Sequence, residues 1–423
     1  MRWTIRKTMA ALGSLLTFGC GDASSVGELD PLTEPPAFAV VSSDYSSSAV
    51  GFLDADGEVI VGSWIHSGTT EPGIVATLSG DVVLPTVQAE GSFTLIDRFR
   101  TDVVTRFRMP EGELIGQVRT HGDPMETGYS SNPYDYVHVD DATAWVTRFG
   151  VQVDADEPAE NQGNDLLRID PTAMERTDVR VPLSTFDTTA TTMTDDGPVE
   201  VTAYARPSGA VRVDDAIVVA LSRLSLGFDA SAPGVVALVS TEGNVVGSAP
   251  LGELHNCGRV APVPGSVGRV LVGCSGFAFP FDEGGAARDS GGLVLLDVDE
   301  GGVHEVVRWE AADHPNAAPA VQSSTPLDDG TVVAVAFGSR DGDVPDRLYR
   351  VELETGAQAL LHESSEPFAI GSPAYDPATG LLLVPDATDG VHRFRIRGDA
   401  VIEEGVVEVA PELLLPVRQV RRM

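Results

Sequence analysis

Lysine is nearly missing from this chain: of 423 residues, the one lysine is Lys7, and it falls in the N-terminal leader. That excludes Schiff-base enzymes, phosphate loops built on Gly-Lys-Ser/Thr, and kinase chemistry from the remainder of the chain. Positive charge is scarce altogether, with 28 basic against 63 acidic residues and a formal net charge of −35. Nucleic-acid binding needs a basic footprint, so no nucleic-acid partner is expected. Aromatic residues make up only 6 % of the chain, with four tryptophans, and the WD, kelch and tryptophan-docking signatures are absent. There is no G-x-S-x-G nucleophile elbow and no lysine for a Ser-Lys pair, although a hydrolase triad assembles from distant residues and leaves no such trace. Beyond the leader, no apolar run is long enough to cross a membrane, and no segment of ten residues shows a convincing helical period. Hydrophobic residues still reach 42 %, enough to build a core.

The first residues have the form of a signal peptide. Arg2, Arg6 and Lys7 give a positive start, Met9 to Phe18 a short apolar stretch, and small residues lead to Cys20. Gly19-Cys20 fits the bacterial lipobox Leu-[Ala/Ser]-[Gly/Ala]-Cys, whereas Thr17 and Phe18 depart from it; an ordinary signal peptide with an incidental cysteine is the simpler alternative. The expected organisation is a lipoprotein signal peptide (1–19), lipidation at Cys20, a flexible acidic tether (20–36) and one folded domain (37–423). Gly21 follows Cys20 where aspartate would retain a lipoprotein at the inner membrane of some bacteria. The expected address is therefore outer-membrane-anchored, periplasmic or at the cell surface, with membrane attachment through the N-terminal lipid only, since so acidic a domain is repelled by anionic lipid.

Cys257 and Cys274 remain, an even pair in an exported chain, so a disulfide is expected. Pro264-Gly265-Ser266 lies midway between them. If residues 258–263 and 269–273 pair as an antiparallel hairpin, the two cysteines face each other across it.

Two kinds of hairpin alternate along the rest of the chain. The first, a strand, a tight acidic or Pro-Gly turn and a very apolar strand, occurs at 136–149, 210–223, 259–274, 324–338 and 372–386. The second, an apolar strand, an acidic or glycine turn and another strand, occurs at 51–64, 106–119, 166–181, 236–250, 293–309, 348–363 and 392–407. From Gly57 to Gly398 its seven copies recur every ~57 residues, the signature of four-stranded units stacked as propeller blades. The expectation is an all-β fold: a single β-propeller of seven four-stranded blades. Blade 1 begins at 38–45 with a strand missing, and 412–420 would supply it and close the ring. Two β-sandwiches are the alternative, but no linker divides the repeat.

Asn132-Pro133-Tyr134-Asp135 leading into YVHVDDATAWVTRF, then LLRIDP and GGLVLLDVD, resemble the YncE-like, YVTN-type propellers of bacterial lipoproteins and surface proteins. The resemblance covers most of residues 38–423 at the level of pattern, with AWVTRF (144–149) a loose echo of the YVTN string. It implies a propeller whose blades each begin on an Asn-Pro lead-in.

Sites are harder to place. Asn132, Tyr134, Asp135 and Tyr136 put two tyrosines at a blade start and form a candidate ligand face. Three loops gather carboxylates and amides, 54–58, 154–165 and 340–346, and such oxygen clusters suit Ca²⁺. Asp341, Asp343 and Asp346 are the metal candidates, although turn formation and solubility account for the same acids, and none of the loops matches an EF-hand. HEVVR (304–308) lacks the second histidine of H-E-x-x-H and lies in a strand. The histidines, His138, His255 and His314 among them, read as hydrogen-bonded residues. RIRGD (395–399) falls at a hairpin turn. The 154–165 loop and the threonine-rich 184–208 connection are candidate recognition elements.

The leading functional expectation is a monomeric, non-enzymatic binding or docking protein at the cell envelope, with no resident cofactor, that engages a protein, glycan or small ligand. A Ca²⁺-dependent lactonase or quinone-cofactor dehydrogenase, and an accessory lipoprotein of an uptake or envelope complex, are the alternatives.

Overall fold

A computed structural model describes residues 29–423 except 71–72, 123–128, 155, 159–160, 279–284, 314–320 and 339–343. Cys20 and the leader lie outside the described residues. The chain is almost wholly β. Seven four-stranded antiparallel sheets succeed one another, and an eighth, three-stranded sheet sits between the third and fourth.

Each four-stranded sheet is a blade, and the second-type hairpins of the sequence are its two outer strands. In blade 3, for example, Pro133–Asp140, Thr143–Val151, Gly163–Asp170 and Glu175–Pro182 lie in order from the inside out. The middle strands are the Val/Leu/Ile runs. Thr331–Ala336 in blade 6 and Leu381–Asp386 in blade 7 are buried at every position, because both faces of a blade pack on neighbours. The outermost strands, such as Glu175–Pro182, keep most side chains in water. Acidic residues close the turns. Asp170 Oδ1 accepts from Thr172 N at 2.8 Å and Ala173 N at 2.9 Å, and Asp328 Oδ1 does the same for Gly330 and Thr331.

Seven apolar clusters hold the blades together, each shared by two neighbours in the ring. Between blades 1 and 2, Trp64 packs edge-on against Phe52 and Phe107, with ring centroids 5.2 and 4.9 Å apart. Between blades 7 and 1, Phe38 and Val40 meet Leu381, Leu383 and Val420, which completes the circle. The C-terminal strand Val417–Arg422 pairs antiparallel with Phe38–Ser43 and is the innermost strand of blade 1, as the sequence leads one to expect.

Cys257 and Cys274 are disulfide-bonded directly opposite each other as expected, and a bulge between Cys257 and Arg259 then shifts the register by one residue, so that Val260 pairs with Val272. The threonine-rich 184–208 segment differs from expectation. It is not an irregular connection: Thr188–Thr194 and Gly197–Tyr204 pair in full register, and Leu224–Ser225 adds a short third strand. Alternating threonines and valines suit such a ladder, and Ala190, Ala203, Ala230 and Ala232 give it a small core of its own.

Candidate functional site

The inner strands of all seven blades surround one cavity of about 500 Å³ on the ring axis. Pro133–Asp140, Pro207–Val213, Cys257–Pro262, Val321–Pro326, Ala374–Asp376, Val417–Arg422 and Val82–Val83 supply its wall. The lining is small and neutral where strands approach closely, with Gly209, Gly258, Ser323 and Ser372. Set into it are five arginines: Arg98, Arg259, Arg418, Arg421 and Arg422.

Two of the five have carboxylate partners. Arg98 Nη2 lies 2.5 Å from Asp81 Oδ1, and Arg422 Nε lies 3.3 Å from Asp376 Oδ1. The other three have none among the described residues. Arg418 donates to the carbonyls of Ser43 and Phe368, both at 3.1 Å, and its guanidinium lies 5.2 Å from the Tyr45 ring. Arg259 lies 5.9 Å from the Tyr134 ring, which Arg98 approaches at 5.3 Å. Arg421 donates from Nη1 to Val420 O at 3.0 Å, while its Nε is buried with no hydrogen-bond partner. Burial, and then the like charge of Arg259, push the Arg421 guanidinium down to about 10. The site thus holds two neighbouring cations that make no ion pair among the described residues; the carboxylate whose charge reaches Arg421, Asp135, is itself held by Thr86, Tyr136 and Ala210.

The channel's two side-chain carboxylates are already engaged. Asp81 serves Arg98. Asp135 is buried and accepts four hydrogen bonds, from Thr86 N (2.9 Å), Thr86 Oγ1 (2.6 Å), Tyr136 N (2.9 Å) and Ala210 N (2.8 Å). Burial pushes its carboxyl up while those donors pull it down. Asp135 is thereby a tie between blades 2, 3 and 4.

The candidate face at 132–136 is divided by the fold. Tyr134 and Asp135 line the channel. Tyr136 points into the interface between blades 2 and 3, where burial pushes its phenol up to about 12. Asn132 turns the chain at φ 45°, its N–H donating to Asp102 Oδ1 at 2.8 Å. Asp341 and Asp343 lie outside the described residues, as does His314. Asp346 is fully buried and accepts from the amides of Gly338, Phe368 and Ile370 at 2.7–2.9 Å, so its carboxylate holds a loop between blades 6 and 7. In the 54–58 loop, Asp54 Oδ1 accepts from the amides of Asp56 and Glu58, and Gly57 takes φ 78° to complete the turn.

The arginine cluster was the missed feature, and the sequence did carry a signal for it. Three of the last six residues, in VRQVRRM, are arginines, in a chain with so few.

No family model and no curated protein matches the chain. Solved structures do. A 6-phosphogluconolactonase candidate from Bacteroides fragilis superposes with a TM-score of 0.53 at 10 % identity, covering 92 % of this chain and 99 % of that one. A second such candidate, from Bacteroides uniformis, gives 0.51 at 11 % identity with the same coverage. At these identities the likeness is one of fold, and the fold is a β-propeller. Among the described residues no helix is long and apolar enough to cross a membrane.

Proposed function

We propose that this is an exported, lipid-anchored propeller of the YncE-like kind that binds a small anionic molecule, bearing phosphate or carboxylate, in its central channel. The observation that carries the reading is the pair Arg259 and Arg421, neighbours in the channel wall of which neither makes an ion pair among the described residues. Two guanidiniums without ion-pair partners in a partly buried site cost free energy, and an anion with bidentate oxygens recovers it. The tyrosine rings of Tyr134 and Tyr45 add apolar surface beside the charge, as ligand pockets commonly do. Because Asp81 and Asp135 are committed to partners, the channel favours binding over acid–base turnover. Export is supported by the disulfide and by the leader's form, and anchoring by the placement of Cys20.

The test is calorimetric titration of the full chain, solubilised in neutral detergent, with inorganic phosphate and with citrate as probes. Saturable one-site binding is expected, weakened by at least ~10-fold in R259Q/R421Q, the loss of one or more charge-assisted hydrogen bonds. R393Q, a surface arginine paired with Glu58, serves as the control. No heat with either probe, or equal binding by the channel variant, removes the anion reading. Anchoring is tested separately by fatty-acid labelling of the wild type against C20S.

A further inference from the structure

Away from the channel, two histidines and a buried aspartate meet at the interface of blades 6 and 7. His362 is on the outermost strand of blade 6, Gln358–Glu363. Asp386 ends Leu381–Asp386, and His392 lies on Gly390–Arg397, the next strand of blade 7. Val384 pairs with His392, so Asp386, two residues further on, shares that sheet face. One potential ligand atom from each of the three lies within 4.8 Å of the other two, and the imidazole centroids are 4.1 Å apart.

Ordinary structural pairing accounts for part of this. Asp386 Oδ1 accepts from Thr388 N at 2.9 Å and Thr388 Oγ1 at 2.7 Å, which caps the hairpin turn. It does not account for the rest. Asp386 Oδ2 is left for the cluster and meets His362 Nε2 at 3.0 Å. His392 is only 4 % exposed, and its Nε2 is buried with no hydrogen-bond partner. Leaving such an atom unsatisfied is costly in a folded core. The nearest carboxylate to it, Asp389 Oδ2, stands at 3.6 Å, too far for a hydrogen bond but close enough to share an ion.

The geometry points to a divalent transition-metal site, with zinc the best-fitting ion. His362, Asp386 and His392 are its ligands, a three-residue set that leaves a fourth position for water or another donor. Two imidazoles with one or two carboxylates suit Zn²⁺ and not Ca²⁺ or Mg²⁺, which take oxygen alone. The His362–Asp386 contact is the metal-free state: Nε2–H donates to Asp386 Oδ2, and as the ion binds the ring proton passes to Nδ1, freeing Nε2 to ligate. Glu403 Oε1, 3.4 Å from His392 Nδ1, then accepts the ring's other N–H and fixes the tautomer that presents Nε2 to the metal. The ion would tie blade 6 to blade 7 independently of whatever occupies the channel.

The full chain, stripped with chelator and dialysed, is titrated with ZnCl₂ against a chromophoric indicator, and separately with CoCl₂ in the spectrophotometer. About one equivalent should bind, give the intense visible bands of tetrahedral cobalt, and resist excess Ca²⁺ and Mg²⁺. H362Q and H392Q should each weaken binding by more than the ~10–100-fold lost on removing an outer-shell partner. Because a substitution in a buried interface can itself disturb folding, the wild type is also followed by histidine NMR, where the His362 and His392 imidazole signals should shift on zinc addition and those of His138 and His255 should not. Absence of a saturable equivalent, displacement by Ca²⁺, unchanged affinity in both folded variants, or unmoved His362 and His392 signals each overturns the site.

Discussion

The Gln419 carboxamide satisfies both main-chain groups of Leu84: its Oε1 accepts from Leu84 N at 2.9 Å, and its Nε2 donates to Leu84 O at 3.3 Å. A side chain of the C-terminal strand thus stands in for the strand partner that blade 2, with an inner strand of only two residues, lacks at that point. Gln419→Ala leaves a buried amide and carbonyl unpaired, at a cost of ~1–3 kcal/mol in a urea melt. Deleting residues 417–423 should do far more. It bares the whole edge of Phe38–Ser43 and takes away three channel arginines. Size-exclusion chromatography should show aggregation; a monomeric, cooperatively melting truncated chain would mean that closure by this strand is dispensable.

Replacing Cys257 and Cys274 by serine should lower stability by ~3 kcal/mol, as expected for a bridge closing a loop with a sequence separation of 17. The same loss should appear when the wild type is melted in reductant, and the variant should be indifferent to it.

Arg148 and Asp165 form a fully buried ion pair in blade 3, with Nη2–Oδ2 at 2.6 Å and Nε–Oδ1 at 2.7 Å. Arg148→Met strands the carboxylate. Arg180, 3.4 Å away, covers part of the charge, so the cost should sit near the low end of the ~3–5 kcal/mol typical of a broken buried pair. Arg148→Met with Asp165→Leu should cost much less than the single change, a coupling read from a double-mutant cycle.

Asp97 is buried at the end of a blade 2 strand, and burial lifts its carboxyl to about 6 despite hydrogen bonds from Ser79. Its folded pKa lies above the unfolded value, so the native state holds the proton more tightly between about 4 and 6. Stability from this group is therefore present below pH 4 and is lost as pH rises through 6. Asp97→Asn should gain on the wild type across that window by up to ~2–3 kcal/mol and stay level above it. A difference that is flat with pH would show that Asp97 ionises normally.

Much of the architecture is legible because a propeller repeats itself. Seven apolar-turn-strand hairpins mark seven outer strand pairs, and the Pro-Gly turn between Cys257 and Cys274 fixes a register. The elements that escaped detection depart from the repeat. Val82–Val83 is too short to show a period, and Pro85 cuts the strand off two residues later. The 188–204 hairpin is rich in threonine and lacks the apolar strand that marks a blade. Sites escape for a different reason, because they are made across blades. Arg259 and Arg421 are far apart in sequence and meet only once the ring closes. Asp386 and His392 stand in one short stretch, DATDGVH, but His362, which completes the cluster, comes from the neighbouring blade.

The two strands that complete blade 1 against each other lie at opposite ends of the ring's sequence, Phe38–Ser43 and Val417–Arg422. At the usual ~5–20 residues per second, Phe38–Ser43 waits roughly 20–80 s for Val417–Arg422 to be synthesised. Through that interval blade 1 is a half-built sheet with an unpaired inner edge. That edge can meanwhile pair with the wrong strand, so blade 1 is the part of the ring most exposed to misassembly while the chain is being made.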